Sequence, residues 1–184
     1  MTTANPKNTY CVAIIPSSET CGIIADFKSQ IEAKYKIKNA NPFLPLIKLT
    51  ENFLWDPKND FLLVDSLKKY AAQSFSIELE FWGFELVEDS FYLKMNQKQQ
   101  MSDFQRSLKY YLEIHNKIAF ENYSFTNPEP QLLLFGYQEQ QRKLNKIWTD
   151  LKQNSFNIHF IANKIYLINC FTDKYEIVKE FELE

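Results

Sequence analysis

Two short apolar segments, each opened by a proline, occupy equivalent places in the two halves of this chain of 184 residues. Residues 45–49 read Pro-Leu-Ile-Lys-Leu, and residues 130–134 read Pro-Gln-Leu-Leu-Leu. Proline is tolerated at the first position of a strand, and a short apolar run that follows it is typical of a buried strand. Side chains two apart on a strand point the same way, so each segment presents one pair of positions to a shared face.

The elements around these segments repeat one order, which is strand, helix, strand, helix, strand. In the first half, residues 10–15 predict a strand and Ser17 a helix N-cap, followed by helically spaced Ile23, Ile24, Phe27 and Ile31. Asp60 is predicted to cap a second helix, and residues 77–81 alternate between apolar and polar side chains. The second half repeats the plan and ends in further strands. The pattern predicts an α+β fold with two antiparallel sheets flanked by helices.

Composition and charge limit the classes of function. A content of 45% hydrophobic and 16% aromatic residues can build a sizeable core, which we expect to form one domain over residues 8–184, after a flexible tail at 1–7. Its two lobes are predicted at about 8–86 and 87–184. The net charge of -2 provides no broad field that would attract nucleic acid or an anionic membrane. With no apolar run long enough to span a bilayer, we expect a cytoplasmic protein without membrane contact.

The three cysteines, Cys11, Cys21 and Cys170, lack the close spacing and the flanking histidines of a zinc site. We therefore expect reduced and mostly buried thiols, with no metal and no cofactor.

The order of elements over nearly the whole chain resembles that of the two-histidine phosphoesterase superfamily, which includes the 2'-5' RNA ligase-like proteins and the cyclic phosphodiesterases. Residues 11–16, Cys-Val-Ala-Ile-Ile-Pro, look like the opening strand of that family, and residues 164–168 and 175–183 look like its closing strands. Pro45 and Leu49, and again Pro130 and Leu134, match the frame around its histidines. The resemblance implies a bilobal, pseudo-twofold fold whose two antiparallel sheets surround a central cleft.

Both catalytic motifs implied by the resemblance are degenerate in this chain. The family pattern is Pro-His-apolar-Thr-Leu, in which one His acts as general base, the other as general acid, and the Thr hydroxyls hold phosphate. The corresponding positions here are Leu46 and Lys48 in the first copy, and Gln131 and Leu133 in the second. Leu cannot transfer a proton, a Gln amide does not titrate, and Lys48 would need its pKa lowered by several units to act as a base. Loss of a general acid or base typically costs about 10²- to 10⁴-fold in rate.

No replacement catalyst is evident in the sequence. His159 alternates with the apolar residues of its strand and is predicted to face solvent, whereas His115 ends a helical stripe and is predicted to be partly buried. Trp82, Phe84, Phe91 and Tyr92 could stack on bases, but the acidic side chains of Glu85, Glu88 and Asp89 favour ordinary sheet packing.

The sequence therefore predicts a catalytically degenerate protein of this superfamily that binds an unidentified ligand or protein. One alternative is residual or altered phosphodiesterase activity on 2',5'- or 2',3'-cyclic phosphodiesters, with Lys48, Gln131 and Tyr137 binding phosphate and base. Another is noncatalytic binding of RNA or a nucleotide through Lys48, with an affinity that falls steeply as salt rises.

Overall fold

The computed structural model describes residues 7–36, 45–87, 90–120, 132–136, 141–171 and 174–184. The predicted tail therefore lies almost entirely outside the described residues. The elements are β1 (Asn8–Ile14), α1 (Ser18–Tyr35), β2 (Ile47–Lys48), β3 (Phe53–Trp55), α2 (Asp60–Ala71), β4 (Ile77–Val87), β5 (Ser90–Met95), α3 (Lys98–Asn116), β6 (Leu132–Gly136), α4 (Gln141–Leu151), β7 (Asn157–Ala162), β8 (Lys164–Cys170) and β9 (Tyr175–Glu182).

The strands form two antiparallel sheets that meet edge to edge. Their strands are hydrogen-bonded in one continuous order, β7-β4-β5-β6-β2-β1-β8-β9, in which β7-β4-β5-β6 forms one sheet and β2-β1-β8-β9 the other, with β3 also paired to β1. The sheets join through β2 and β6, where Ile47 is the register partner of Leu132. Each sheet takes strands from both halves of the sequence. The α+β class and the two antiparallel sheets are thus confirmed.

Helix α1 follows a strand of one sheet and packs on the other. Its N-cap is Ser17, whose Oγ accepts a hydrogen bond from the Thr20 N–H at 3.2 Å. The Phe27 ring then stacks on Phe84 of β4, with the ring centroids 5.2 Å apart. The prediction that Ile23 belongs to the buried stripe is wrong, since 45% of this residue is exposed. Ile24, Phe27 and Ile31, the other residues of the predicted stripe, are buried as expected.

Helices α2 and α3 pack together on the sheet that contains β1. The Tyr70 and Phe104 rings meet edge to face at 5.7 Å. Asp60 was predicted to be the N-cap of α2, but that position belongs to Asn59, and Asp60 is the first helical residue. Its carboxylate accepts a hydrogen bond from the Tyr10 hydroxyl at 3.1 Å. This contact with β1 explains why the acid stands at the helix start.

Strand β4 confirms the predicted alternation. Ile77, Leu79 and Phe81 are buried, whereas the Glu side chains between them are exposed. The expectation of sheet packing for Trp82 is wrong, because 65% of this residue is exposed. It lies on the solvent side within the register shift between Phe81 and Phe84, where Gly83 has a φ of 70° that a residue with a side chain rarely adopts. In the described part of the chain, no α-helix is long and apolar enough to cross a membrane.

Candidate functional site

The two segments singled out in the sequence meet at the junction of the two sheets. Ile47 pairs with Ile14 of β1 on one side and with Leu132 of β6 on the other. Because the β2–β6 pair is antiparallel, this register sets backbone position 46 opposite position 133. The two motif strands are therefore adjacent. Gln131 and Tyr137 lie outside the described residues, as does the side chain of Leu133.

One face of the sheet that contains β1 carries the motif residues that the structure describes, and we call it the motif face. It comprises Cys11, Leu46, Lys48, Cys170 and Tyr175. Leu46, Cys170 and Tyr175 pack against a small buried cluster that includes Cys11 and is separate from the main core. The neighbouring Ile47 points the other way and is fully buried in that core. Leu46 thus occupies an apolar setting on the motif face.

Lys48 is half-buried on the motif face, and its ammonium group has defined neighbours. Its Nζ lies 3.1 Å from Oδ1 of Asn52 and 5.8 Å from the centre of the Tyr175 ring. A cation at this distance from an aromatic face is attracted by the ring quadrupole. The backbone carbonyl of Lys48 accepts a hydrogen bond of 2.7 Å from Nε2 of Gln105 on α3. Lys48 is thus positioned through both its backbone and its side chain, and its charge can hold an anion.

The chain turns away from β2 through a buried hydrogen-bond arrangement around Val12. The N–H groups of Leu49 and Thr50 both donate to the Val12 carbonyl, at 2.8 and 3.2 Å. In return the Val12 N–H donates to Thr50 Oγ1 at 2.9 Å. Thr50 is only 2% exposed. This residue fixes the path of the segment that follows Lys48, and the sequence alone offered no signal for it.

A partly buried ion pair lies behind the same segment, and the side chain of its acidic member, Glu51, is 33% exposed. Lys109 on α3 has a side chain that is 5% exposed, and its Nζ lies 2.5 Å from Oε1 of Glu51. The other carboxylate oxygen of Glu51 is buried without a hydrogen-bond partner. Sequence reasoning missed this pair, although Lys109 stands four positions after the buried Gln105 and so shares its helix face.

Neither histidine lies at the junction of the motif strands. His159 is exposed on β7, as predicted, and its Nε2 lies 2.8 Å from Oε1 of Glu78. Four strand spacings, or about 19 Å along the sheets, separate β7 from β2. His115 is exposed rather than partly buried, and its ring lies 4.2 Å from that of Tyr111. The exposure follows from its place in the last turn of α3, where this side turns away from the core.

The cysteines differ in their environments. Cys11 is fully buried, as predicted, whereas Cys21 and Cys170 are only half-buried. Among the residues that the structure describes, no group of three or more His, Cys, Asp or Glu side chains is arranged to hold a metal ion.

Comparison with known proteins identifies the fold through solved structures. No family model matches the chain, and no curated protein matches it in sequence. The fold is that of the LigT-type phosphoesterases, and the predicted resemblance is confirmed at this level.

Three of the similar structures illustrate the match. The apo form of Escherichia coli LigT superimposes with a TM-score of 0.64 at 12% identity, covering 96% of this chain and 98% of LigT. A protein of Thermus thermophilus gives a TM-score of 0.63 at 10% identity, with 95% and 97% coverage. A phosphoesterase gives 0.63 at 12% identity, with 97% and 99% coverage. At such identities the likeness establishes the fold alone.

Proposed function

We propose that this chain is a LigT-like scaffold that binds a ligand or a protein at the junction of its sheets and lacks the phosphodiesterase chemistry of the two-histidine superfamily. The observation that carries the proposal is the environment of Leu46. Its backbone lies beside the second motif strand, yet its side chain packs in the apolar cluster of the motif face. A hydrocarbon side chain at this place can neither accept nor donate a proton.

The other candidate catalytic residues support the same proposal. Lys48 supplies a positive charge, but a single cation does not replace an acid and a base that must both lie within hydrogen-bond reach of the reacting oxygens. His159 is four strands away from β2 and engaged with Glu78. Gln131, the amide in the second motif, does not titrate. We therefore expect the motif face to bind a ligand or a protein without phosphodiesterase turnover.

A second candidate function is noncatalytic nucleotide binding, and the position of Lys48 favours it. The ammonium group lies near the Tyr175 ring on a half-buried face, so a phosphate could bind the charge while a base stacked nearby. Structures of Escherichia coli LigT have been solved with 3'-AMP, NADP⁺, ATP and phosphate. Those ligands are the natural first probes for this chain.

Calorimetric titration with 3'-AMP, ATP and inorganic phosphate tests the site. Lys48→Met removes the charge on the motif face, and Lys68→Met removes one exposed charge on α2 as the matched control. Nucleotide binding predicts at least about a tenfold loss of affinity in Lys48→Met, because a contact to a charged group contributes about 1.5–3 kcal/mol. Binding that is equal in both variants would exclude Lys48 as the anion site. Absence of binding of all three ligands to the wild type would contradict nucleotide binding at this site.

A further inference from the structure

Two cysteines on the motif face lie within reach of each other. Cys11 on β1 and Cys170 at the end of β8 have their Sγ atoms 3.3 Å apart, which is hydrogen-bond distance for two thiols. They are 159 positions apart in the sequence and are brought together by the β1–β8 pairing. The third cysteine, Cys21, lies in the first turns of α1, where its thiol donates to the Pro16 carbonyl.

The two thiols differ in access and in acidity. Cys11 is fully buried, whereas Cys170 is half-buried and is therefore the more accessible residue of the two. The hydrogen bond with Cys11, aided by the charge of Lys48, lowers the pKa of Cys170. The same hydrogen bond, together with burial, raises the pKa of Cys11. Cys170 is therefore suited to attack first, because a thiolate is the reactive form of cysteine.

We propose that Cys11 and Cys170 form a reversible disulfide by exchange with a small disulfide such as oxidised glutathione. This inference does not depend on the proposed function of the chain. It adds a modification site on the motif face, next to Lys48.

The exchange proceeds in two balanced steps. The Cys170 thiolate attacks one sulfur of the external disulfide, its S–S bond breaks, and one glutathione thiolate leaves. Cys11 then loses its proton to the released thiolate and attacks the Cys170 sulfur of the mixed disulfide, which expels the second glutathione. Two cysteine thiols are oxidised by two electrons, and one external disulfide is reduced to two thiols. The second step is assisted because the mixed disulfide removes the negative charge that hinders ionisation of Cys11.

The new bond has a definite structural consequence. The two sulfur atoms need to approach from 3.3 Å to about 2 Å, which requires a small movement of strands that are already paired. The bond would close a long loop between the first strand and the end of β8. Closing a long loop stabilises the folded state, so oxidation is expected to raise Tm by about 5–10 °C.

Peptide mapping by mass spectrometry after equilibration in oxidised and reduced glutathione tests the proposal on the full chain. Cys21→Ser is the matched control and should still give a peptide that joins Cys11 to Cys170, with a Tm rise that dithiothreitol reverses. Cys11→Ser should instead retain glutathione on Cys170, and Cys170→Ser should give neither adduct nor crosslink at Cys11. Cys11→Ala replaces Cys11→Ser if the serine hydroxyl disturbs the buried cluster.

Two results would overturn the proposal. One is glutathione attached to Cys170 of the wild type with no crosslink to Cys11 at equilibrium. The other is modification confined to Cys21. Both are read from the wild type and do not require any variant to fold.

Discussion

Ile47 and Leu132 are register partners across the junction of the two sheets, and this single pairing sets the degenerate motifs side by side. Their strands come from opposite halves of the chain. Ile47 is fully buried, as is Leu132, so the pair also belongs to the main core. The same residue pair therefore contributes to the core of the fold and sets the positions of the strands at the candidate site.

The ion pair behind the motif segment is expected to matter for stability. Lys109→Met should lower the free energy of unfolding by about 1–3 kcal/mol, because it leaves the partly exposed carboxylate of Glu51 without its ion-pair partner. Adding Glu51→Gln should recover part of the loss. The exposed pair of Lys69 and Asp65 is the matched control, and Lys69→Met should change stability by less than about 0.5 kcal/mol. Urea unfolding measures all three, and equal effects of the two lysine variants would show that the Lys109 pair is not special.

Thr50 is expected to hold the segment after Lys48 in place. Thr50→Val keeps the volume but leaves the buried N–H of Val12 without an acceptor, which should cost about 1–3 kcal/mol. Thr50→Ser retains the oxygen and should cost clearly less. Comparable losses in the two variants, measured by urea unfolding, would attribute the role of Thr50 to its methyl group rather than to the hydrogen bond.

Phe81 and Trp82 are neighbours on β4 with opposite environments. Phe81 is fully buried and Trp82 is 65% exposed. Phe81→Ala should therefore destabilise the protein by about 3–5 kcal/mol, whereas Trp82→Ala should remain within about 0.5 kcal/mol of the wild type. A large loss from Trp82→Ala in thermal or urea unfolding would contradict the assignment of this residue to the solvent side.

The pKa of Cys170 leads to a prediction about its reactivity. The hydrogen bond with Cys11 lowers this pKa, whereas burial raises the pKa of Cys21. As the pH is raised, alkylation by iodoacetamide should therefore begin at a lower pH for Cys170 than for Cys21. Cys11→Ala should move the Cys170 midpoint to higher pH, since it removes the main stabilising contact of the thiolate. Rates that follow the same pH curve at both cysteines, read by mass spectrometry, would contradict this order.

The sequence predicted those parts of the fold that depend on local periodicity. The alternation at Ile77, Leu79 and Phe81 and the cap at Ser17 agree with the structure. The prediction for Asp60 failed because a 3-10 turn over Pro57–Asn59, capped by the side chain of Asp56, leads directly into α2 and makes Asp60 its first helical residue. Trp82 was misassigned because its aromatic ring was taken to favour packing, although the residue continues the alternation of Glu78 and Glu80 and so faces solvent.

The candidate site could be predicted only where it depends on local sequence pattern. The motif strands were found from their prolines and apolar residues, and their adjacency is now seen in the register of β2 and β6. The contacts of Lys48 with Asn52 and Tyr175, and the pairing of Cys11 with Cys170, depend on tertiary structure that one sequence does not display. The proposed lobe boundaries and the roles of Gln131 and Tyr137 stay predictions.

Phosphodiesterase turnover is the measurement that tests the central claim most directly. The purified chain should be assayed against 2',3'-cyclic nucleotides and 2'-5' linked oligoadenylates, with Escherichia coli LigT assayed in parallel under the same conditions and a mock purification as the blank. We predict no turnover above the blank for this chain, because Leu46 and Gln131 cannot supply a general acid and base. Turnover that exceeds the blank and is lost in Lys48→Met, but kept in Lys68→Met, would contradict the claim and identify Lys48 as part of an altered active site.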